Sequence, residues 1–301
     1  MATIYTYKDR NIRKTYTLFG VFFVVVIGIG WIFSEIYKSP DVLVIAVLFS
    51  IFMSFFSYWY SDKIVLRMAN AHEIQKDQAR DLYTIVENLS ITAGLPTPRI
   101  YIIEDSSPNA FATGRDPKHS VVAVTRGLLS KLNKTELEGV LAHELSHIGN
   151  RDMLLSTMVV VLVGFISLIS DMFLRSVFFG RFNDRDREGQ AGGILFLIGL
   201  VLSIIAPIVG ILMQLAISRK REFLADQSGA LLTRYPEGLA SALQKISDDG
   251  TPLRVAKSTT AHLWIESPYG KSQKRTPLLL KLFSTHPPVE DRIKALKDMA
   301  S

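Results

Sequence analysis

Four stretches of this chain carry no charged side chain: residues 15–34, 42–61, 153–170 and 189–218, which are 20, 20, 18 and 30 residues long. A helix needs about 20 apolar residues to cross a bilayer core, within a usable range of about 17–25. The pattern therefore predicts a mainly α integral membrane protein with four transmembrane helices. Composition agrees, with 48% apolar and only 21% charged residues, against the roughly 25% charged of an ordinary soluble chain. A plain soluble enzyme, a disordered tail and a fibrous protein are excluded.

Lys8, Arg10, Arg13 and Lys14 precede the first run, as at the start of a signal peptide. The run is longer than an h-region of about 7–15 residues, and no clear small-residue cleavage site follows. It is read as an uncleaved helix with Trp31 and Tyr37 near its far end. Pro40 and Asp41 mark a turn, and the second run closes on Tyr58, Trp59 and Tyr60, which suits an interfacial aromatic belt. Residues 1–61 are thus expected to form an N-terminal segment and a transmembrane hairpin. Residues 153–218 hold the third and fourth spans, joined by the polar loop 171–190. The fourth run exceeds a bilayer's need. Tilt, a helix emerging into water or a kink at Pro207 absorbs the excess.

Charge sets the orientation. An even number of spans puts the N-terminus and both polar blocks on one side. That side carries four Lys or Arg in residues 1–14, four in 62–81, two in 133–152 and four in 219–238, fourteen in all, against five on the other side. The positive-inside rule places the polar blocks in the cytoplasm of a multi-pass protein of the cell membrane. The net charge of +6 belongs beside the spans and the bilayer. No aromatic–basic nucleic-acid module accompanies it, so no nucleic-acid partner is expected. Nothing in the chain specifies an oligomeric state.

The block 62–152 is expected to hold a long helix over about 65–92, stopped at Gly94 ahead of Pro96 and Pro98. Residues 99–103 and 121–124 read as strands. Residues 109–113 form an extended piece between them, bounded by Pro108 and Gly114. Thr135 and Glu138 have capping-box spacing for a helix that carries His143 and His147 and runs on into the third apolar run. The block 219–301 reads as mostly helical, with a mobile loop at about 266–276. The two blocks are expected to form one α+β domain with a small sheet, split between 62–152 and 219–301.

His143-Glu144-Leu145-Ser146-His147 is an H-E-x-x-H. Two His at i and i+4 share one helical face, so both imidazoles can grip one metal ion, and Glu144 can act as general base on a water. The chain has no cysteine, so disulfides are impossible and any metal site uses His and carboxylate. Such sites accept several divalent metals. Zinc, one per chain, is the expected one.

A catalytic zinc takes three protein ligands and keeps one position open. Arg221-Glu222-Phe223-Leu224-Ala225-Asp226 supplies the best-fitting third ligand, Glu222. Asp226, four residues on, shares its face and can hydrogen-bond the free ring nitrogen of a ligand His. Taken alone this string is an ordinary charged face at a membrane border. Its position gives it force. His147 precedes the third run by six residues and Glu222 follows the fourth by four, which puts both segments just above one membrane face.

The combination resembles the HtpX-type membrane zinc metalloproteases, related more distantly to the CAAX prenyl proteases and the soluble gluzincins. Four features carry the resemblance over nearly the whole chain: the amino-terminal hairpin, L-A-H-E-L-S-H-I before a span, R-E-x-x-A-D after the last span, and Thr285-His286-Pro287-Pro288 with Arg292. It implies that the two polar blocks form a zincin-like cytoplasmic metalloprotease domain, and that Asn109, Ala110, Phe111 and Ala112 form the edge segment that binds substrate by strand addition. It also implies that His286 stabilises the oxyanion of the tetrahedral intermediate and that Arg292 supports the site. The substrates it implies are polypeptides, in particular damaged or misassembled membrane proteins cleaved at cytoplasmic segments for quality control.

Three other readings compete. Cleavage within the bilayer is disfavoured because Asn150, Arg151 and Asp152 separate the motif from the span and no span carries a catalytic-type Asp. Prenyl proteases have more than four spans. A non-enzymatic four-span scaffold with a structural metal has no use for Glu144. His72, His119 and His262 show no partner pattern and read as ordinary residues.

Overall fold

The computed structural model describes residues 4–162, 219–257, 259–269 and 287–300. Two long helices open the chain, α1 (Ile4–Tyr37) and α2 (Pro40–Met68). Lys38 takes a left-handed φ of 51° between them. Ser39 is the N-cap of α2 and Pro40 follows inside its first turn, where a missing N–H costs nothing. The helices approach closely at Gly30, where a Cβ would overlap Ala46. Their outer faces expose Val24 and Trp31 on α1 and Ile45, Leu48, Phe52 and Phe55 on α2. An apolar surface that large is stable only against lipid or another protein. Among the described residues these are the two helices long and apolar enough to cross a membrane.

The helix expected over 65–92 is broken. α2 ends at Met68, and Asn70 turns the chain with φ of 49°. Residues Ala71–Glu73 form a short strand, β1, before α3 (Arg80–Ala93). The polar stretch has no helical signal of its own, and pairing with β2 supplies the hydrogen bonds. Gly94 closes α3 in the left-handed region, at φ of 64°.

Strands β2 (Arg99–Ile103), β3 (Ala110–Gly114) and β4 (Ser120–Thr125) complete a four-stranded sheet of order β1-β2-β4-β3. β2 and β4 run parallel, while β3 is antiparallel to β4 and forms an edge. After the short α4 (Arg126–Lys131) comes α5 (Lys134–Asn150), the H-E-x-x-H helix. Its cap lies two residues before the expected one. Asn133 accepts from the Glu136 N–H, and Glu136 accepts in return from the Asn133 N–H. Glu136 also takes Ser241 and Lys245 of α8 (Pro236–Asp249). A carboxylate able to join two elements wins over Glu138.

α5 does not run on into the third apolar run. Arg151 turns left-handed, with φ of 56°, Asp152 is extended, and a new apolar helix, α6, covers Met153–Leu162. Leu155, Met158, Val159 and Leu162 of α6 pack with Leu18, Phe22 and Met53, so the third run joins the hairpin. The rest of that run, the fourth run, the 171–190 loop and most of 266–276 lie outside the described residues.

Behind α5, Val140, Leu141, Leu145 and Ile148 bury completely against Ile100, Val122 and Val124 of the sheet. α7 (Arg219–Thr233) crosses α5 on its other side, and α9 (Val289–Ala300) packs on α7 and α8. The α5–α7 crossing depends on Gly229, where a Cβ would stand 2.9 Å from the His143 backbone nitrogen. α7 therefore rides directly on the turn that carries the first motif histidine.

Candidate metal centre

Helical register delivers what the spacing predicts: His143 and His147 share a face of α5, and their Nε2 atoms are 3.1 Å apart. α7 brings Glu222 to the same point. Its Oε2 is 3.9 Å from His143 Nε2 and its Oε1 3.8 Å from His147 Nε2. The three groups offer ligand atoms that all lie within 4.8 Å of one another.

The other nitrogen of each ring faces a carboxylate. His143 Nδ1 lies 2.9 Å from Asp226 Oδ1, and His147 Nδ1 lies 3.1 Å from both oxygens of Asp152. A neutral ring that gives its Nδ1 proton to a carboxylate presents a bare lone pair at Nε2. Two such lone pairs 3.1 Å apart need a positive charge between them, a proton in the metal-free protein or a metal ion. Nitrogens bound tetrahedrally to zinc at about 2.05 Å stand roughly 3.3 Å apart, close to the separation observed. The residues fit a zinc ion.

Electrostatics separate the two rings. Burial pushes His143 down, outweighing the pull of Asp226. Burial acts the same way on His147, but Asp152 overcomes it and holds the metal-free ring up at about 10. Burial would raise Asp226, yet the Arg292 guanidinium holds it down at about 2. Arg292, completely buried on α9, donates from Nε and Nη2 to the two Asp226 oxygens at 2.8 and 2.7 Å. Its Nη1 donates to the Ile265 carbonyl at 2.8 Å.

Glu144 points into the same cleft and is 1% exposed. Burial pushes its carboxyl up to about 7, against the downward pull of His147 and of the Ala112 N–H that donates to it. A carboxylate with a proton affinity near neutral suits a base that must accept a proton and return it.

The edge strand reaches this site and is partly covered by the chain itself. Ile265 N–H donates to the Ala110 carbonyl at 3.0 Å. The Asn109 side-chain amide donates to the Glu266 carbonyl at 3.1 Å, and Trp264 stacks edge-on against Phe111 with ring centres 4.8 Å apart. Asn109, Ala110 and Phe111 thus anchor the 264–266 segment, while Ala112 lines the metal cleft. His286 lies outside the described residues.

The sequence reading missed three features. Asp152 follows His147 by five residues, off its helical face, and only the left-handed turn at Arg151 folds it back. The 264–266 segment carries no motif. His262, read as ordinary, lines the cleft, with Nε2 3.2 Å from the Ser156 carbonyl.

A model of peptidase family M48 matches residues 76–300, which contain every group of this centre. The chain belongs to peptidase family M48. Relatives named Protease HtpX homolog agree. One from Thermoanaerobacter pseudethanolicus is 44% identical, over 99% of this chain and 98% of its own length. One from Thermococcus kodakarensis is 46% identical, over 95% of each. Among solved structures, S. mikatae Ste24p shares the fold with a TM-score of 0.51 at 18% identity, covering 96% of this chain and 64% of that one. As an M48 member the chain is a metallopeptidase, and its apolar hairpin makes it a membrane-associated one.

Proposed function

We propose that this M48 peptidase is a zinc-dependent endopeptidase, with one zinc per chain, that cleaves misfolded or damaged membrane proteins at their cytoplasmic segments. The observation that carries the reading is the pair of Nε2 atoms in contact, each ring backed by a carboxylate, with Glu222 and Glu144 beside them. Four spans, in two pairs around 62–152, hold the two halves of the domain at the cytoplasmic face. Charge distribution supports that orientation, and the packing of α6 on the hairpin supports more than two spans.

His143, His147 and Glu222 hold the metal, which when bound supplies a water of lowered pKa and a Lewis acid for the carbonyl. Glu144 takes a proton from the attacking water as its oxygen joins the peptide carbonyl carbon. It then delivers that proton to the amine nitrogen as the C–N bond breaks, leaving a carboxylic acid and a free amine. The Ala112 N–H holds the Glu144 carboxylate in place. Asp226, clamped by Arg292, fixes the His143 ring. His286 stabilises the oxyanion. The part of the β3 edge at Ala112 receives the extended substrate backbone by strand addition.

The test is hydrolysis of an unfolded protein by the full chain in detergent with added zinc, beside Glu144→Gln. A loss of about 10²–10⁴-fold in the variant, with zinc still bound, is expected. Equal cleavage by both proteins defeats the proposal.

A further inference from the structure

The two histidine rings are held by different devices. The carboxylate of Asp226 reaches His143 from a neighbouring helix and is itself gripped by Arg292 at two points. His147 is held from within its own segment. α5 ends at Asn150, Arg151 adopts φ of 56°, and the next residue, Asp152, swings back under the ring. Both Asp152 oxygens lie 3.1 Å from His147 Nδ1, and the residue is 3% exposed. In a continuous helix a residue five positions on points about 140° away from the first, so the left-handed turn is what makes this contact possible.

The same turn starts the apolar helix α6. The Asp152 carbonyl accepts from Ser156 N–H in the first turn of that helix, and the Asn150 carbonyl accepts from the Asn11 side chain of α1 at 3.1 Å. The turn that carries the acidic residue is therefore tied to α6 at Asp152 and, through Asn150, to α1 of the hairpin.

From this geometry we infer that Asp152 is the positioning residue for His147, delivered by the Arg151 turn, so that metal affinity is set partly at the junction between α5 and α6. The inference rests on the metal-centre reading above. Its physical basis is that a carboxylate on the far nitrogen fixes the tautomer and orientation of a ligand histidine and raises its basicity, and loss of such a partner weakens metal binding about 10–100-fold.

The experiment is zinc affinity of the full chain in detergent, by competition with a chromophoric chelator, together with the visible spectrum of the cobalt-loaded protein. Asp152→Ala is expected to weaken zinc about 10–100-fold. Asp152→Asn, whose amide oxygen still accepts from Nδ1–H without a charge, is expected to fall between Ala and wild type. Both are expected to shift the cobalt bands, which a loss of stability alone does not do. Arg151→Gly, at ease with a positive φ, is expected to keep the wild-type affinity, whereas Arg151→Val, strained there, lowers it. The second pair reports on the turn without touching the carboxylate. Equal affinity in wild type, Asp152→Asn and Asp152→Ala overturns the inference. Absence of zinc binding by wild type overturns instead the metal-centre reading beneath it.

Discussion

Arg292 and Asp226 are joined at two points, 2.8 and 2.7 Å, with both side chains removed from solvent. The pair connects the C-terminal helix to His143, and through it to the metal centre. Removing one member strands the other as an unpaired buried charge, at a cost of about 3–5 kcal/mol. Arg292→Ala should therefore lower the unfolding midpoint and the zinc content together. Arg292→Lys keeps the charge but loses the two-point geometry and should recover only part of each. Thermal unfolding and metal analysis of the purified proteins check this.

Asp226 also predicts an acid sensitivity. Its folded pKa of about 2 lies below the ordinary 3.8. The folded protein thus prefers the carboxylate, and the associated stability is present above about pH 4 and lost as pH falls toward 2. The difference corresponds to roughly 2 kcal/mol. In metal-free protein the wild-type midpoint should drop more steeply through that window than that of Asp226→Asn. Parallel curves would remove Asp226 as the cause.

Glu144 predicts the acid limb of activity. Without metal its carboxyl is pushed up to about 7, and a divalent cation beside it favours the ionised form. The base is active when deprotonated, so kcat/KM should fall as pH drops through a midpoint below 7. A pH–rate profile of the zinc-loaded enzyme measures it directly, and a limb at or above 7 contradicts the assignment.

Gly229 offers a prediction whose sign is unusual. Replacing a helical glycine by alanine ordinarily stabilises by about 1 kcal/mol. Here the new Cβ meets the backbone of His143 at 2.9 Å. Gly229→Ala should destabilise by about 1–3 kcal/mol and weaken zinc binding as α7 lifts Glu222 away from the two rings. Denaturation and chelator competition test both effects.

What was legible in the sequence was whatever depends on local periodicity. The i, i+4 pairs on α5 and α7 share faces because a helix repeats in 3.6 residues, and His143, His147 and Glu222 converge accordingly. The charge-free runs gave α1, α2 and the start of α6 for the same reason. What escaped depends on turns and on distant pairing. Strand β1 exists because β2 lies beside it, and nothing in Ala71–Glu73 announces it. The capping box shifted to Asn133 and Glu136 because α8 supplies Ser241 and Lys245. Asp152 was hidden by a single left-handed residue. The 264–266 segment was hidden because its partners, Asn109 and Ala110, lie more than 150 residues earlier.

His147 and Glu222 are consecutive ligands in the metal centre, yet both later apolar runs, 153–170 and 189–218, lie between them in the chain. During synthesis the histidine pair is complete long before its carboxylate. In the four-span arrangement proposed above, the carboxylate reaches the pair only after the intervening runs have crossed the bilayer and returned. A half-inserted chain therefore holds an incomplete ligand set and no working peptidase. On that topology, correct threading into the membrane would act as the safety catch that keeps a protein-cutting enzyme inert until it is anchored.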